Sequence, residues 1–290
     1  MSLVGQSATV LGAGIAGLAA ARALALRGAG VTVLEQAPTL AEVGAGLQIS
    51  PNGAAVLHAL GLGPALRGAA MRATGVRLCD GLTGATVLHM DLTRLQPDLG
   101  WHFVHRADLI AMLADGAREA GVTVVTDTRV HRVDLRQDRA VALMPDGGRH
   151  ETGLLVGADG LNSVLRGALN AQSAPFFTGQ VAWRALIPGN PADPPEVVVH
   201  MGPNRHLVSY PLRGGGLRTI VAVEGRVEWS AEGWHHRDDP DALRAAFAGF
   251  SPRVRSWLDA VNEPFLWGLF RHPVATRWVQ ALARGGAAIL

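Results

Sequence analysis

Lysine is absent from this chain, and all 26 of its basic residues are arginine. Against 24 acidic residues the formal net charge is only +2, so the sequence pI near 9.4 reflects late-titrating guanidinium groups and not a basic patch. No run of basic residues with interleaved aromatics occurs, which argues against nucleic acid as a partner. A lysine-free chain rich in alanine, glycine and arginine points to GC-rich coding sequence, a statement about codons and not about function. Cys79 is the only cysteine, so no disulfide can form within the chain, as suits a reducing compartment. Aromatic residues make up 5%, with a single tyrosine, Tyr210. Low-complexity tracts, long charge runs and internal repeats are missing, which argues against disorder and solenoid folds. No apolar run reaches the roughly 18 residues of a membrane span. The best candidate, residues 15–26, is interrupted by Arg22. The N-terminus has no basic n-region, and its first apolar stretch reads as a strand and not a signal peptide. A soluble, cytoplasmic protein without membrane association is expected.

What is present is 290 residues, 48% of them hydrophobic, enough for a large core in one or two domains. Residues 8–11 read as a short buried strand ending in glycine, 14–26 as an Ala- and Leu-rich helix stopped by Gly28, and 31–34 as a second strand. Strand, helix and parallel strand make one βαβ unit. Residues 76–92 read as a hairpin around 81–84, 108–120 as a helix, 122–125 as a strand, 130–145 as another hairpin and 154–157 as a buried strand. From 177 to 223 the pattern is strand-rich, with turns at 188–195 and 214–216, and 241–250 and 253–261 read as helices. This order predicts an α/β fold with a Rossmann-type nucleotide domain at 1–73, 101–172 and 273–290. A β-rich substrate domain at 74–100 and 173–272 is inserted into it.

The run Gly12-Ala13-Gly14-Ile15-Ala16-Gly17 lies between the first strand and the first helix, and Glu35 closes the second strand 18 residues after Gly17. Gly12 permits the tight turn, Gly14 the approach of a pyrophosphate, and Gly17 close packing of helix on sheet. The helix N-terminus supplies amide donors and partial positive charge for phosphates, and Glu35 a carboxylate for ribose hydroxyls. Because strand, helix and acid stand in place, the pattern predicts dinucleotide binding; alone it does not separate FAD from NAD.

A second motif, Gly157-Ala158-Asp159-Gly160-Leu161-Asn162-Ser163-Val164-Leu165-Arg166, directly follows the strand at 154–157. Here the chain resembles the single-component FAD-dependent aromatic hydroxylases, which include salicylate and hydroxybenzoate monooxygenases. Gly44-Ala45-Gly46-Leu47-Gln48-Ile49-Ser50-Pro51-Asn52-Gly53, Arg106-Ala107-Asp108-Leu109 with Leu113, and the strand and turn over 206–216 extend the likeness to nearly the whole chain. The resemblance implies FAD as cofactor and NADH or NADPH as co-substrate. It assigns Gly12, Gly14, Ile15, Ala16, Gly17, Glu35, Gln36, Arg106, Asp159 and Gly160 to the cofactor. It also implies that reduced flavin and O2 form a C4a-hydroperoxide whose distal oxygen attacks an electron-rich phenol. One departure stands out. The family's late Gly-Asp motif is absent, and the chain ends Arg284-Gly285-Gly286-Ala287-Ala288-Ile289-Leu290. On that ground the expectation is a C-terminally truncated member with weak FAD binding and uncoupled NAD(P)H oxidation at most.

Activating a phenol calls for a base or a hydrogen-bond relay facing the substrate. The candidates are Gln48, where some relatives place a histidine base, and His206 and Tyr210, four apart on one face of a predicted strand. No metal is expected: His102 and His105 are three apart without an evident third ligand, and His235-His236 sit among charges in a loop. Arg184, in Trp183-Arg184, reads first as a core or surface pairing residue, with a substrate carboxylate as the alternative. No nucleophile elbow or triad pattern occurs. A small aromatic substrate and O2 are thus the expected partners, with a homodimer left open. Three rival readings stand beside this one: the same scaffold acting on a ubiquinone precursor or heterocycle, a non-catalytic flavin-binding remnant, and an NAD-dependent dehydrogenase, which leaves the Asp159-Gly160 motif unexplained.

Overall fold

The structure is a computed structural model that describes residues 2–40, 46–95, 97–170, 174–229 and 236–290. Gly44, Ala45 and His235 lie outside the described residues. The chain forms two compact units, one from 1–42, 109–176 and 270–290, the other from 43–108 and 177–269.

The first unit is built on a six-stranded sheet in the order Val279–Ala281, Ala287–Ile289, Leu154–Gly157, Ser7–Leu11, Gly30–Leu34, Thr123–Val125. All neighbours pair in parallel except Val279–Ala281 with Ala287–Ile289. Ala8 through Leu11 are buried without a break, as a central parallel strand covered on both faces requires. Helix Ile15–Ala25 connects Ser7–Leu11 to Gly30–Leu34 and buries Gly17, Leu18 and Ala21. The hairpin expected over 130–145 forms as Arg132–Leu135 and Ala140–Leu143, and a third antiparallel strand, Arg149–Thr152, joins it. That strand reads RHET, so no apolar alternation announced it. Leu11, Leu34, Ala140, Leu155, Leu165 and Ala288 meet in the core of this unit.

The second unit carries a seven-stranded sheet in the order Phe265–Arg271, Phe176–Pro188, Leu217–Gly225, Arg205–Pro211, Glu196–Gly202, Gly75–Asp80, Thr86–Asp91. The hairpin Gly75–Asp91 enters by a parallel pairing of Gly75–Asp80 with Glu196–Gly202. Helices Pro240–Ala246 and Pro252–Asp259 cover one face, packing Leu243, Phe247, Val254 and Leu258 against Leu207 and Ile220. The helix expected to reach 250 stops at Ala246, and Phe247 and Phe250 follow in turns with their rings 4.8 Å apart. The opposite face of the sheet meets a small sheet of Gly46–Ile49, His102–His105 and Met71–Arg72, where Phe103 packs with Val197, Tyr210 and Leu212.

Two corrections to the predicted boundaries follow. Residues 43–73 and 101–108, expected with the nucleotide domain, belong to the second unit. The reason is the antiparallel pairing of Gly46–Ile49 with His102–His105, which holds Gly46 against Tyr210 and Thr219. Helices Pro51–Ala59 and Gly63–Ala69 were not expected at all, because Gly53, Gly61, Gly63 and Gly68 blur their periodicity. No helix among the described residues is long and apolar enough to cross a membrane.

Candidate active site

The glycine-rich turn divides its labour among three positions. Gly12 has φ +93°, and a Cβ there would lie 2.6 Å from the Ala158 carbonyl oxygen. Gly17 would place a Cβ 1.9 Å from the Gly12 carbonyl oxygen, so helix and turn touch backbone to backbone. Gly14 differs: a Cβ there would meet nothing within 4 Å. Packing within the protein therefore does not demand glycine at 14, and the open space above it is a cradle that a side chain would fill. Gly14 is the residue before helix Ile15–Ala25, whose first turn carries no acidic side chain. The first-turn amides of Ile15, Ala16 and Gly17 have no partner within the helix, and its positive end is set for phosphate oxygens.

Glu35 is tied into the same turn. Its Oε2 accepts from the Ala13 amide at 2.6 Å and its Oε1 from the Ala37 amide at 2.8 Å. An ionised carboxylate offers about four lone-pair positions, so two remain for ribose hydroxyls. Gln36, next along, is exposed. Open cradle, amide donors and carboxylate together fit a dinucleotide.

The second motif is a turn closed by its own side chains. Asp159 Oδ1 accepts from Ser163 Oγ at 2.5 Å, and its Oδ2 from the Val164 amide at 2.7 Å. Ser163 Oγ in turn accepts from the Arg166 amide at 3.1 Å, capping helix Val164–Leu169. Gly160 sits at φ +75°, a region open to glycine. Arg166 donates through Nη2 to the Pro273 carbonyl. Asp159 thus shapes this turn directly, and any work on a cofactor is done with the lone pairs left over.

In the second unit the register decides which side chains share a face. Tyr210 pairs laterally with Thr219, and Thr219 with Leu186; one step along, Val208 pairs with Val221 and Val221 with Arg184; one further, His206 pairs with Val223. All of these face the small sheet and not the two helices. Tyr210 is buried against Phe103, with ring centroids 5.0 Å apart. Gly46 is required beside it, since a Cβ would stand 2.1 Å from Thr219 Oγ1 and 3.0 Å from Tyr210 Cε2. Gln48, two residues along the same strand, accepts through Oε1 from Trp101 Nε1 at 3.2 Å. The structure therefore brings Gln48 and Tyr210 to one neighbourhood through Phe103. His206 lies on the same face about 13 Å along the strand from Tyr210.

Electrostatics separate the three. Burial pushes the Tyr210 phenol up to about 12, with the Arg184 guanidinium pulling weakly the other way. At neutral pH Tyr210 is protonated, so of the two roles considered, base or hydrogen-bond relay, its phenol suits the relay. The Gln48 amide has no basic form either. Burial holds the His206 imidazole below its usual value, so it is neutral at pH 7 and is the one of the three able to accept a proton. Arg106 opens helix Arg106–Glu119 and is close enough to Arg184 to lower its affinity for the proton.

Trp101, Phe103, Thr219 and Trp267 were not singled out in the sequence. Only strand pairing between residues some fifty to a hundred positions apart assembles them, and no local signal encodes that. Arg184, read first as a core or surface pairing residue, forms no ion pair among the described residues. Its guanidinium stacks 4.5 Å above the Trp267 ring, and its buried Nε has no hydrogen-bond partner. His102, weighed as a metal ligand, has Nε2 bonded to the Leu99 carbonyl at 2.9 Å.

Comparison with known proteins completes the description. The profile of a family described as FAD binding domain matches residues 6–242. The chain is 34% identical over 281 residues to the 3-amino-4-hydroxybenzoate 2-monooxygenase PtmB3 of Streptomyces platensis, covering 93% of this chain and 69% of that protein. It is 35% identical over 281 residues to the 3-hydroxybenzoate 6-hydroxylase of Polaromonas naphthalenivorans (strain CJ2), again covering 93% and 69%. Klebsiella pneumoniae HpxO, solved with FAD and uric acid, matches with TM-score 0.79 and 25% identity over 91% of this chain and 68% of that one. A salicylate hydroxylase substrate complex matches with TM-score 0.79 over 98% of this chain and 72% of that one; at 20% identity it bears on the fold alone.

Proposed function

The chain belongs to the single-component FAD-dependent aromatic hydroxylases, a family of FAD-dependent monooxygenases, and from that premise we propose that it hydroxylates a phenolic or salicylate-like ring. NADH or NADPH donates two electrons as hydride, one atom of O2 is inserted so that a ring C–H becomes C–OH, and the other leaves as water with that hydride's electrons and a proton taken from solvent. Bound FAD would supply the redox chemistry and the activation of O2.

The residues of this chain bind, orient and move protons. The first-turn amides of Ile15, Ala16 and Gly17 would hold the pyrophosphate of FAD, and Glu35 would take ribose hydroxyls with its two remaining lone-pair positions. Gln36, Arg106, Asp159 and Gly160 are assigned to the same cofactor on family likeness. Tyr210, neutral and buried, donates a hydrogen bond to a substrate oxygen. His206 accepts the phenolic proton, which raises the electron density of the ring. Gln48, held by Trp101, orients the ring through its amide. The spacing of His206 and Tyr210, about 13 Å less the reach of two side chains, suits one aromatic ring lying along the strand.

The observation that carries this reading is a sheet face bearing a buried phenol, Tyr210, packed on Phe103, and a neutral imidazole, His206, with the Gln48 amide held by Trp101 on the small sheet that covers it. The test is a panel of phenols and phenolic acids, scored together for NAD(P)H consumption and hydroxylated product. Ring-dependent oxidation with product is expected. A flavin-loaded protein whose NAD(P)H oxidation no ring compound alters, with no product formed, would reject it.

A further inference from the structure

The face of the seven-stranded sheet turned towards helices Pro240–Ala246 and Pro252–Asp259 carries two metal-ligating side chains that the ring chemistry does not use. Cys79 of strand Gly75–Asp80 and His200 of strand Glu196–Gly202 are direct partners in the parallel pairing of those strands. Lateral partners point to the same face, and His200 shares it with Leu207 of the helix-covered core. Both are closed to solvent, Cys79 3% and His200 2% exposed. Phe250 seals one end. A Cβ at Gly81 or at Gly202, two residues beyond Cys79 and His200, would lie 2.6 or 2.7 Å from its ring. Trp257 stands edge-on to the imidazole at 5.6 Å. Inside this dry wall neither ring nitrogen of His200 has a hydrogen-bond partner. A buried polar group left bare costs free energy, and its presence calls for a ligand. Burial, with the Arg253 charge second, drives this imidazole down to about 4, so at pH 7 it is neutral with a lone pair to give.

We propose that Cys79 and His200 form a two-coordinate site for a soft monovalent cation, copper(I), on the side of the sheet away from Tyr210 and His206. The thiol loses its proton to solvent, a sulfur–copper bond forms, and one ring nitrogen completes the pair. Sulfur and nitrogen on opposite sides of one metal stand roughly 4 Å apart, on bond lengths of about 2.3 and 2.0 Å. Paired strands roughly 4.8 Å apart offer that span. Thiolate and imidazole are donors that suit copper(I). Among the described residues no group of three or more His, Cys, Asp and Glu is placed to hold a metal, so the higher coordination that zinc or calcium needs is missing. Charge selects in the same direction. One thiolate, one neutral imidazole and one monovalent ion sum to zero, whereas a divalent ion would leave a buried positive charge near Arg253. Arg218, the other guanidinium on Trp257, has its own partner in Asp193.

The test is anaerobic titration of the full chain with copper(I) against a competing copper(I) chelator, with X-ray absorption on the loaded parent. Because Cys79 is the only cysteine, any thiolate-to-copper band reports this site alone. One copper(I) per chain is expected, bound by one sulfur and one nitrogen, far more tightly than zinc(II). Cys79→Ser should lose the band and the tight site. His200→Leu should keep the thiol and weaken copper(I) by at least about a hundredfold. His200→Leu that binds within threefold of the parent overturns the proposal, since the thiol then acts alone. Cys79→Ser that binds as tightly as the parent overturns it too, the copper then being held by surface histidines. A parent whose copper has two sulfur neighbours, shared between chains, or which prefers zinc(II), refutes it without any variant having to fold.

Discussion

At the scale of single residues, glycines of one motif carry separable burdens. A methyl at Gly17 would collide with the Gly12 carbonyl, which is backbone and cannot step aside. Gly17→Ala is therefore expected to destabilise the fold by about 3 kcal/mol or more. At Gly14 the same methyl meets open space in an extended conformation, φ −72° and ψ −177°. Gly14→Ala should cost about 0.5–1 kcal/mol as a poorer helix cap, yet lose most FAD affinity. Chemical denaturation of the apoprotein beside an FAD titration separates the two, and equal stability losses at both positions would refute the division. Tyr210 offers an equally direct measurement because it is the only tyrosine. Its phenol, pushed up to about 12 by burial, gives a single tyrosinate transition by absorbance that should fall to about 10 on unfolding. The folded state prefers the protonated form, so this contribution, about 2–3 kcal/mol, is intact below pH 10 and fades between 10 and 12. A midpoint near 10 in the folded protein would show Tyr210 exposed.

At the scale of elements, helix Pro252–Asp259 lies over a titratable core. His200, on strand Glu196–Gly202, is buried with neither ring nitrogen hydrogen-bonded, and it stands edge-on to Trp257 of that helix at 5.6 Å. Cys79 is its lateral neighbour, and Arg218 and Arg253 stack on Trp257. Burial, with the Arg253 charge second, drives the imidazole down to about 4. A depressed folded value means that the contribution is present above pH 6.5 and disappears as pH falls to 4, roughly 3 kcal/mol in all. His200→Leu removes that term and a buried polar group without partners, so it should match or exceed the parent at pH 7 and lose less stability towards pH 4. Parallel acid-unfolding curves for parent and variant would show the idea to be mistaken.

At the scale of the molecule, each unit is gathered from segments far apart in the chain. FAD held by the folded nucleotide cradle and not by the unfolded chain stabilises by mass action, about 2.7 kcal/mol at a hundredfold excess over the dissociation constant. A rise of several degrees in the melting temperature with FAD, and a smaller one with NAD, is the expected outcome. An equal response to both would contradict the assignment of FAD.

Local chemistry, by itself, determined the βαβ unit, the turn at Gly12–Gly17, the carboxylate at Glu35 and the hairpin Gly75–Asp91. In each of these the determining residues are neighbours, and steric demand or period-2 alternation writes itself into adjacent positions. The strand Arg149–Thr152 and the helices Pro51–Ala59 and Gly63–Ala69 were hidden, because polar or glycine-rich sequence folds there only through partners. The candidate site lies further still from the sequence. His206 and Tyr210 were legible as one strand face, but whether that face met water or protein depended on the strand Gly46–Ile49, which arrives from about 160 residues earlier. The absence of an acid in contact with Arg184 among the described residues, and the burial that raises the Tyr210 phenol to about 12, are properties of packing. Only the tertiary structure decided them, because desolvation depends on everything that surrounds a group and not on the group itself.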